Sequence, residues 1–296
     1  MTTNISSPTH SIPSSFIGMV LGALCFGLIS GADVTVKYLS DEYSIFQILM
    51  VATLFAYIPV VLFLWRTGAL RALRPRHPRL TVLRSVLVAA SAAAILWAVS
   101  RMPLADAYAL VFTCPLIVTA LAAPILKERV SLASWCAVLG GFIGVLVILR
   151  PGFQAVDLPH VMALVSAVLF AAGILVLRWM GDGERTGPLL LILLTTTVCM
   201  MAPLGLASFV PPEPQDLAVM ALSGLCAGLA HICLVMAVRF APASTVSPFQ
   251  YTQILWGLLF GALVFGDQPE MVMLLGAGIV ILSGLFLLWQ ESRRTA

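Results

Sequence analysis

Charged and hydrogen-bonding side chains are scarce in this sequence, so the few that interrupt its apolar runs are conspicuous. Asp33 and Lys37 lie four residues apart in GLISGADVTVKYL. On a helix that spacing sets acid and base on one face in the favourable order. Such a pair either neutralises itself at a helix end or offers charge to a substrate at an outer gate. His231, in GLCAGLAHICLVM, is an imidazole inside an apolar run. It can carry a proton near neutral pH or, in neutral form, bond a neighbouring helix. Cys233 follows two positions later, and residues two apart do not share a helix face, so no metal site is expected. The densest polar group is SPFQYTQILW, with Gln250, Tyr251, Gln253 and Trp256. Gln250, Gln253 and Gly257 would share a helix face. Amides and rings of this kind bind a polar solute without fixed charge, or bond one helix to another. Trp97 and Tyr108 are weaker candidates, since an aromatic belt at a membrane surface accounts for either. Arg84 enters an apolar run near its start, where a long side chain is expected to snorkel to the interface.

The elements that must position these residues follow from composition. The chain is 60% hydrophobic and 10% charged over 296 residues, with mean hydropathy +1.05. Soluble domains carry about 25% charged residues. Its apolar runs also reach the ~20 residues that cross a bilayer. An all-α integral membrane protein is expected. Ten apolar segments are read: 16–38, 44–65, 81–100, 104–126, 131–149, 158–178, 187–208, 217–238, 243–265 and 270–289. The connections RPRHP, RPG, GDGERTGP, VPPEPQD and GDQPE are short and turn-forming. They leave no room for a soluble domain.

Thirteen of the sixteen Lys and Arg residues fall on one side if the N-terminus is cytoplasmic; Lys37, Arg101 and Arg150 fall on the other. The positive-inside bias then sets both termini in the cytoplasm. The leading residues 1–15 carry no Lys or Arg and no clear cleavage site follows the first apolar run, so they read as a cytoplasmic tail, with a second tail at 290–296. At 1.5 Å per residue, Asp33 lies ~9 Å and Lys37 ~15 Å outward of the first segment's centre. The six cysteines form no CxxC pair, so neither a disulfide framework nor a zinc site is expected.

The chain also repeats. The stretch RMPLADAYALVFTCPLIVTALAAPILKERV is matched by RFAPASTVSPFQYTQILWGLLFGALVFGDQP. Pro103 falls against Pro242, Ala105 against Ser244 and Glu128 against Asp267. Residues 16–150 and 158–289 would each hold five helices, and an odd number inverts one half relative to the other. The arginines of the 66–79 connection have no counterpart in FVPPEPQD, as opposite orientation requires. Inverted repeats are the usual architecture of alternating-access carriers, with the substrate where the halves meet.

The stretches LRSVLVAASAAAILWAVSRMPLADAYALVFTCPLIVTALAAPILKERVSL and RFAPASTVSPFQYTQILWGLLFGALVFGDQP resemble the EamA branch of the drug/metabolite transporter superfamily over nearly the full length. Arg84, Pro115, Glu128 and Pro242 match that family's pattern. The wording PFQYTQILWG is most similar to a subgroup that includes riboflavin and S-adenosylmethionine carriers and some amino-acid or opine exporters. The resemblance implies ten helices, cytoplasmic termini and a cavity lined by helices 1, 3, 4, 6, 8 and 9. Val51, His231 and Asp267 depart from the common pattern, which bears on substrate and coupling.

The expectation is a secondary carrier in a bacterial inner membrane that moves a small polar organic metabolite. Export of an amino-acid-like or opine-type metallophore compound is the first reading. Uptake of a vitamin or cofactor such as riboflavin or S-adenosylmethionine is the alternative. No Walker A motif is present, so ATP hydrolysis in this chain is not expected. Asp33 and His231 are the candidate proton carriers, with solute exchange as the other coupling. The acids other than Asp33 cluster at segment ends and in connections, which speaks against an enzyme. An assembly partner without flux is a third class. No cofactor, metal or nucleic acid is expected; the lipid bilayer is, and a homodimer stays open.

Overall fold

The computed structural model describes residues 14–40, 42–99, 101, 110–127, 130–149, 157–260, 263 and 271–295. Among these there is helix and no strand. The helices are α1 (Ser14–Leu39), α2 (Ile45–Arg66), α3 (Pro78–Val99), α4 (Cys114–Leu126), α5 (Leu132–Leu149), α6 (Leu158–Met180), α7 (Thr186–Ala207), α8 (Pro214–Phe240), α9 (Ala243–Val246), α10 (Thr252–Phe260) and α11 (Met271–Thr295). Six of them, α1, α2, α3, α6, α7 and α8, are long and apolar enough to cross a membrane.

The solvent these helices suit is legible in α2. Ile48, Ala52, Ala56, Val60 and Leu64 are buried, spaced by four. On the other face Leu54, Ile58, Leu62 and Trp65 are exposed. A helix apolar on all sides needs protein on one face and hydrocarbon on the other. Lipid tails are as apolar as leucine, so contact between such helices relies on close backbones and on hydrogen bonds. Both devices are present. A Cβ at Gly228 would lie 2.6 Å from the Ala56 carbonyl, and one at Gly144 2.8 Å from that of Gly276. The small-residue pairs Gly224/Gly228 and Gly140/Gly144 are thus close-contact points, as their spacing predicts. Ser91 Oγ donates to the Ser166 carbonyl at 2.9 Å, and Ser166 Oγ donates to that of Ser91 at 2.9 Å, pinning α3 to α6.

The principal packings come in matched pairs. α1 packs on α8 and α3 on α6; α2 packs on α8 and α3 on α7; α4 packs on α6 and α1 on α10. α2 with α7, and α5 with α11, complete the set. Each pairing has its counterpart when the first five sequence segments are exchanged for the last five.

Two segments read as continuous helices are broken. The ninth runs through α9, a 3-10 stretch at Ser247–Tyr251, and then α10. Pro248 lacks the N–H an α-helix needs at that point, which accounts for the tightened stretch. In the fourth, a turn at Phe112–Thr113 precedes α4, and Pro115 opens that helix rather than bending its interior.

The ends of the bundle are tied by polar contacts. At the arginine-rich end Glu184, 2% exposed, lies between α6 and α7. Its carboxylate accepts the backbone N–H groups of Arg76, His77 and Arg185 at 2.9, 2.6 and 2.9 Å. Arg239 at the end of α8 donates to the Glu184 carbonyl and to Thr186 Oγ1. Arg185 donates to the Arg74 carbonyl. At the other end the Gln47 amide brackets the Val210 backbone at 2.6 and 2.9 Å, and Tyr43 donates to Asp216 at 2.7 Å.

Candidate functional site

The broken ninth segment carries the polar side chains into the middle of the bundle. Tyr251 is 1% exposed and Gln250 3% exposed. The Tyr251 ring sits against Gly141 of α5, where a Cβ would fall inside contact distance. It meets Phe112 edge to face, centroids 6.2 Å apart. The register that sets Pro103 against Pro242 also sets Phe112 against Tyr251, so these rings meet from corresponding points of the two broken segments.

One step along, Gln253 Nε2 donates to Asp33 Oδ2 at 2.8 Å, and Ser30 Oγ donates to the Gln253 carbonyl at 3.0 Å. The sequence singled out Asp33 for its spacing to Lys37; the structure brings it to Gln253. Lys37 lies on α1, and its side chain falls outside the described residues. Trp256, the next turn of α10, lays its indole edge against Gly27, which holds α1 and α10 at close approach.

Five buried side-chain atoms among the described residues have no hydrogen-bond partner: Thr119 Oγ1, Ser247 Oγ, Gln250 Oε1, Tyr251 OH and Arg84 Nε. The first four sit on α4 and on the 3-10 stretch packed against it. An unsatisfied buried polar atom costs about 1–3 kcal/mol. Two hydroxyls, an amide oxygen and a phenol, all neutral, are left in this state on two elements that pack together. Beside them a cavity of ≈ 10 Å³, lined by Gly141, Pro248, Tyr251, Thr252 and Ser283, is about the size of one water.

Arg84 corrects the snorkelling expectation. Its guanidinium is 1% exposed, because α7 packs across α3 at that level. Nη1 donates to the Leu189 carbonyl at 3.1 Å. His231, on the half of α8 that leads to the arginine-rich end, is within electrostatic reach of it. Neither is in hydrogen-bond contact with the Asp33–Gln253 pair.

The remaining expected residues lie elsewhere. Trp97 is half-buried near the end of α3, with the Arg101 guanidinium 4.2 Å from its ring centroid, as a belt residue would be. Tyr108 falls outside the described residues. A larger apolar cleft of ≈ 440 Å³ runs along α6 past Val161, Leu164 and Val168. His160, which also lines it, has Nδ1 2.6 Å from Asp157, and among the described residues the cleft is lined by none of the expected ones. Thr119 and Ser247 were missed by sequence reasoning. The available signal was their place near a proline, Thr119 one turn after Pro115 and Ser247 next to Pro248.

Several known proteins are similar to this chain in sequence. The chain is 32% identical to a riboflavin transporter of Rhizobium johnstonii, covering 81% of this chain and 80% of that protein. It is 27% identical to a riboflavin transporter of Vibrio cholerae, over 94% and 93%. It is 23% identical to an S-adenosylmethionine uptake transporter of Rickettsia prowazekii, over 92% and 94%. One crystal structure superimposes with TM-score 0.80 over 94% of this chain and 99% of its own, at 14% identity, and shows the fold alone. The model of the EamA-like transporter family matches residues 14–150 and 158–289. With both matches falling on the helices described above, this chain belongs to the EamA-like transporter family.

Proposed function

We propose that the protein is an uptake carrier for a vitamin or nucleoside-type cofactor, working by alternating access. It has ten spans in two inverted five-helix repeats (16–150 and 158–289), with the 1–15 and 290–296 tails in the cytoplasm and the chain in the inner membrane. The observation that carries this reading is the set of buried, unpartnered polar atoms of Thr119, Ser247, Gln250 and Tyr251 on the two interrupted segments. Discontinuous helices at corresponding positions of two repeats are where such carriers hold their substrates. Neutral donors and acceptors around an aromatic ring suit a heterocycle with carbonyls and hydroxyls, as in a flavin. The relatives named for riboflavin and S-adenosylmethionine uptake support import over the export of amino-acid-like or opine compounds. The matched packings of the two halves support the repeats, and the arginine-rich end fits the cytoplasmic side. Asp33, held by Gln253, is the group placed to carry a coupling proton.

The test is uptake of labelled riboflavin and S-adenosylmethionine into cells that lack their own carriers, then counterflow in liposomes holding the purified protein alone. Saturable uptake of either supports the reading. Accumulation of a metabolite inside a deletion strain, with no uptake of either compound, would overturn it in favour of export. Flux in liposomes also separates a carrier from an assembly partner.

A further inference from the structure

The central surface is neutral, yet seven residues into α3 a full positive charge is buried. Arg84 spends one donor on the Leu189 carbonyl, and its Nε–H has no partner. Among the described residues no carboxylate is in ion-pair contact with it. The free edge of the guanidinium, Nε–H with the adjacent Nη2, is the side-on fork that takes two oxygens of a carboxylate or phosphate. Burying an unpaired ion costs several kcal/mol even after relaxation. A bilayer protein keeps such charge where it meets a partner or a transported group. His231, on α8, lies within electrostatic range of the same guanidinium. Both lie between the central surface and the arginine-rich end, on helices of opposite halves.

We infer that the transported cofactor bears one anionic group, a carboxylate or phosphate, and that Arg84 receives it while the central hydroxyls and amides hold the heterocycle. This rests on the carrier reading and narrows it. S-adenosylmethionine has such a carboxylate, flavin mononucleotide has such a phosphate, and riboflavin has neither. Arg84 is thereby a specificity-determining residue.

Two measurements on the full-length purified chain test it. In the first, inorganic phosphate and acetate are titrated against chloride at matched ionic strength and thermal unfolding is followed. A rise of about 2–4 °C in Tm is expected for wild type, and none for Arg84→Gln. Arg84→Lys keeps the charge and loses the fork, so it should show a smaller rise. In the second, binding of flavin mononucleotide is compared with riboflavin, and of S-adenosylmethionine with its decarboxylated form. The anionic member should bind about tenfold to hundredfold tighter, and Arg84→Gln should erase the difference while leaving the neutral member's affinity. Equal affinities within each pair, or anion stabilisation that survives in Arg84→Gln, overturns the inference. So does an anion effect that is absent in wild type and gained in Glu128→Gln, which would make Glu128, outside the described residues, the acid that serves Arg84. If phosphate acts through Arg84 but no flavin or S-adenosylmethionine compound binds, the anion site stands and the vitamin reading falls. Riboflavin uptake untouched by Arg84→Gln, without any anion effect, does the reverse.

Discussion

Removing the Glu184 carboxylate tests how the arginine-rich end is held. Three backbone N–H groups converge on this one side chain, at 2.6–2.9 Å. A hydrogen bond to a charged group contributes about 1.5–3 kcal/mol, so three set a ceiling of about 5–9 kcal/mol. Arg76 and His77 are themselves exposed, and water will satisfy their N–H groups once the carboxylate is gone. That reduces the expected loss in Glu184→Ala to about 3 kcal/mol, or about 6–12 °C in Tm for a chain of this size. Glu184→Gln keeps one acceptor oxygen but sets an NH₂ against backbone donors, and should lose about half as much. Burial by itself pushes the Glu184 carboxyl up. The backbone N–H groups of Arg76, Arg185 and His77, with the charge of His77, outweigh it and hold the carboxyl below the ordinary carboxylate value. A folded value below the unfolded one gives stability that is present above the ordinary carboxylate value and lost as pH falls through the folded one. Unfolding of the purified protein, followed from pH 7 downward, should therefore show wild type converging on Glu184→Gln in acid. Glu184→Ala melting within about 1 °C of wild type at neutral pH, or a gap that does not change with acid, would refute this account.

Other outcomes follow from the centre and the seams. Tyr251→Phe deletes a hydroxyl that has no partner, so Tm should hold or rise, by up to about 1 kcal/mol of stability, while uptake affinity falls about tenfold; a loss of both would mark Tyr251 as structural. Asp33→Asn can still accept from Gln253 but cannot ionise. It should fold normally in size-exclusion chromatography and lose the pH dependence of uptake, and a profile unchanged from wild type would remove Asp33 as the proton carrier. Gly228→Leu drives a side chain into the Ala56 carbonyl and should cost at least 2–3 kcal/mol, in line with overpacking of close contacts, read as lost monodisperse yield; Gly183→Leu, with open space around it, should behave as wild type.

Much of the architecture is legible in one dimension because a bilayer asks for long apolar helices and permits little else. The all-helical class and the six long apolar helices follow from residues read alone. What is illegible is any contact between helices distant in sequence. Asp33 and Gln253 were each singled out, but the bond between them depends on how α1 crosses α10. Arg84 was misjudged for the same reason. The snorkelling argument considers one helix in lipid and cannot see α7 laid across it with the Leu189 carbonyl in reach. Thr119 and Ser247 were passed over because small hydroxyls usually return a hydrogen bond to their own helix, as Thr53 and Thr197 do here. Near a proline that begins or breaks a helix the geometry differs, and these two hydroxyls remain without partners.

The distribution of satisfied and unsatisfied groups then separates holding from binding. At both ends polar side chains are partnered across elements: Glu184 with three N–H groups, Gln47 with both sides of Val210, Tyr43 with Asp216. Where helix seams need pinning, as at Ser91 and Ser166, the bonds are reciprocal. The chain thus readily satisfies buried polar atoms where they serve only its own packing. Among the described residues five are left unsatisfied, and these lie on α3, α4 or the 3-10 stretch. In hydrocarbon an orphaned group is more costly than in a soluble core, because no water reaches it to compensate. Random imperfection would scatter such groups along the seams. Their concentration on α3, α4 and the 3-10 stretch is what the proposed site predicts, with the neutral part of the proposed ligand at Tyr251 and its charge at Arg84.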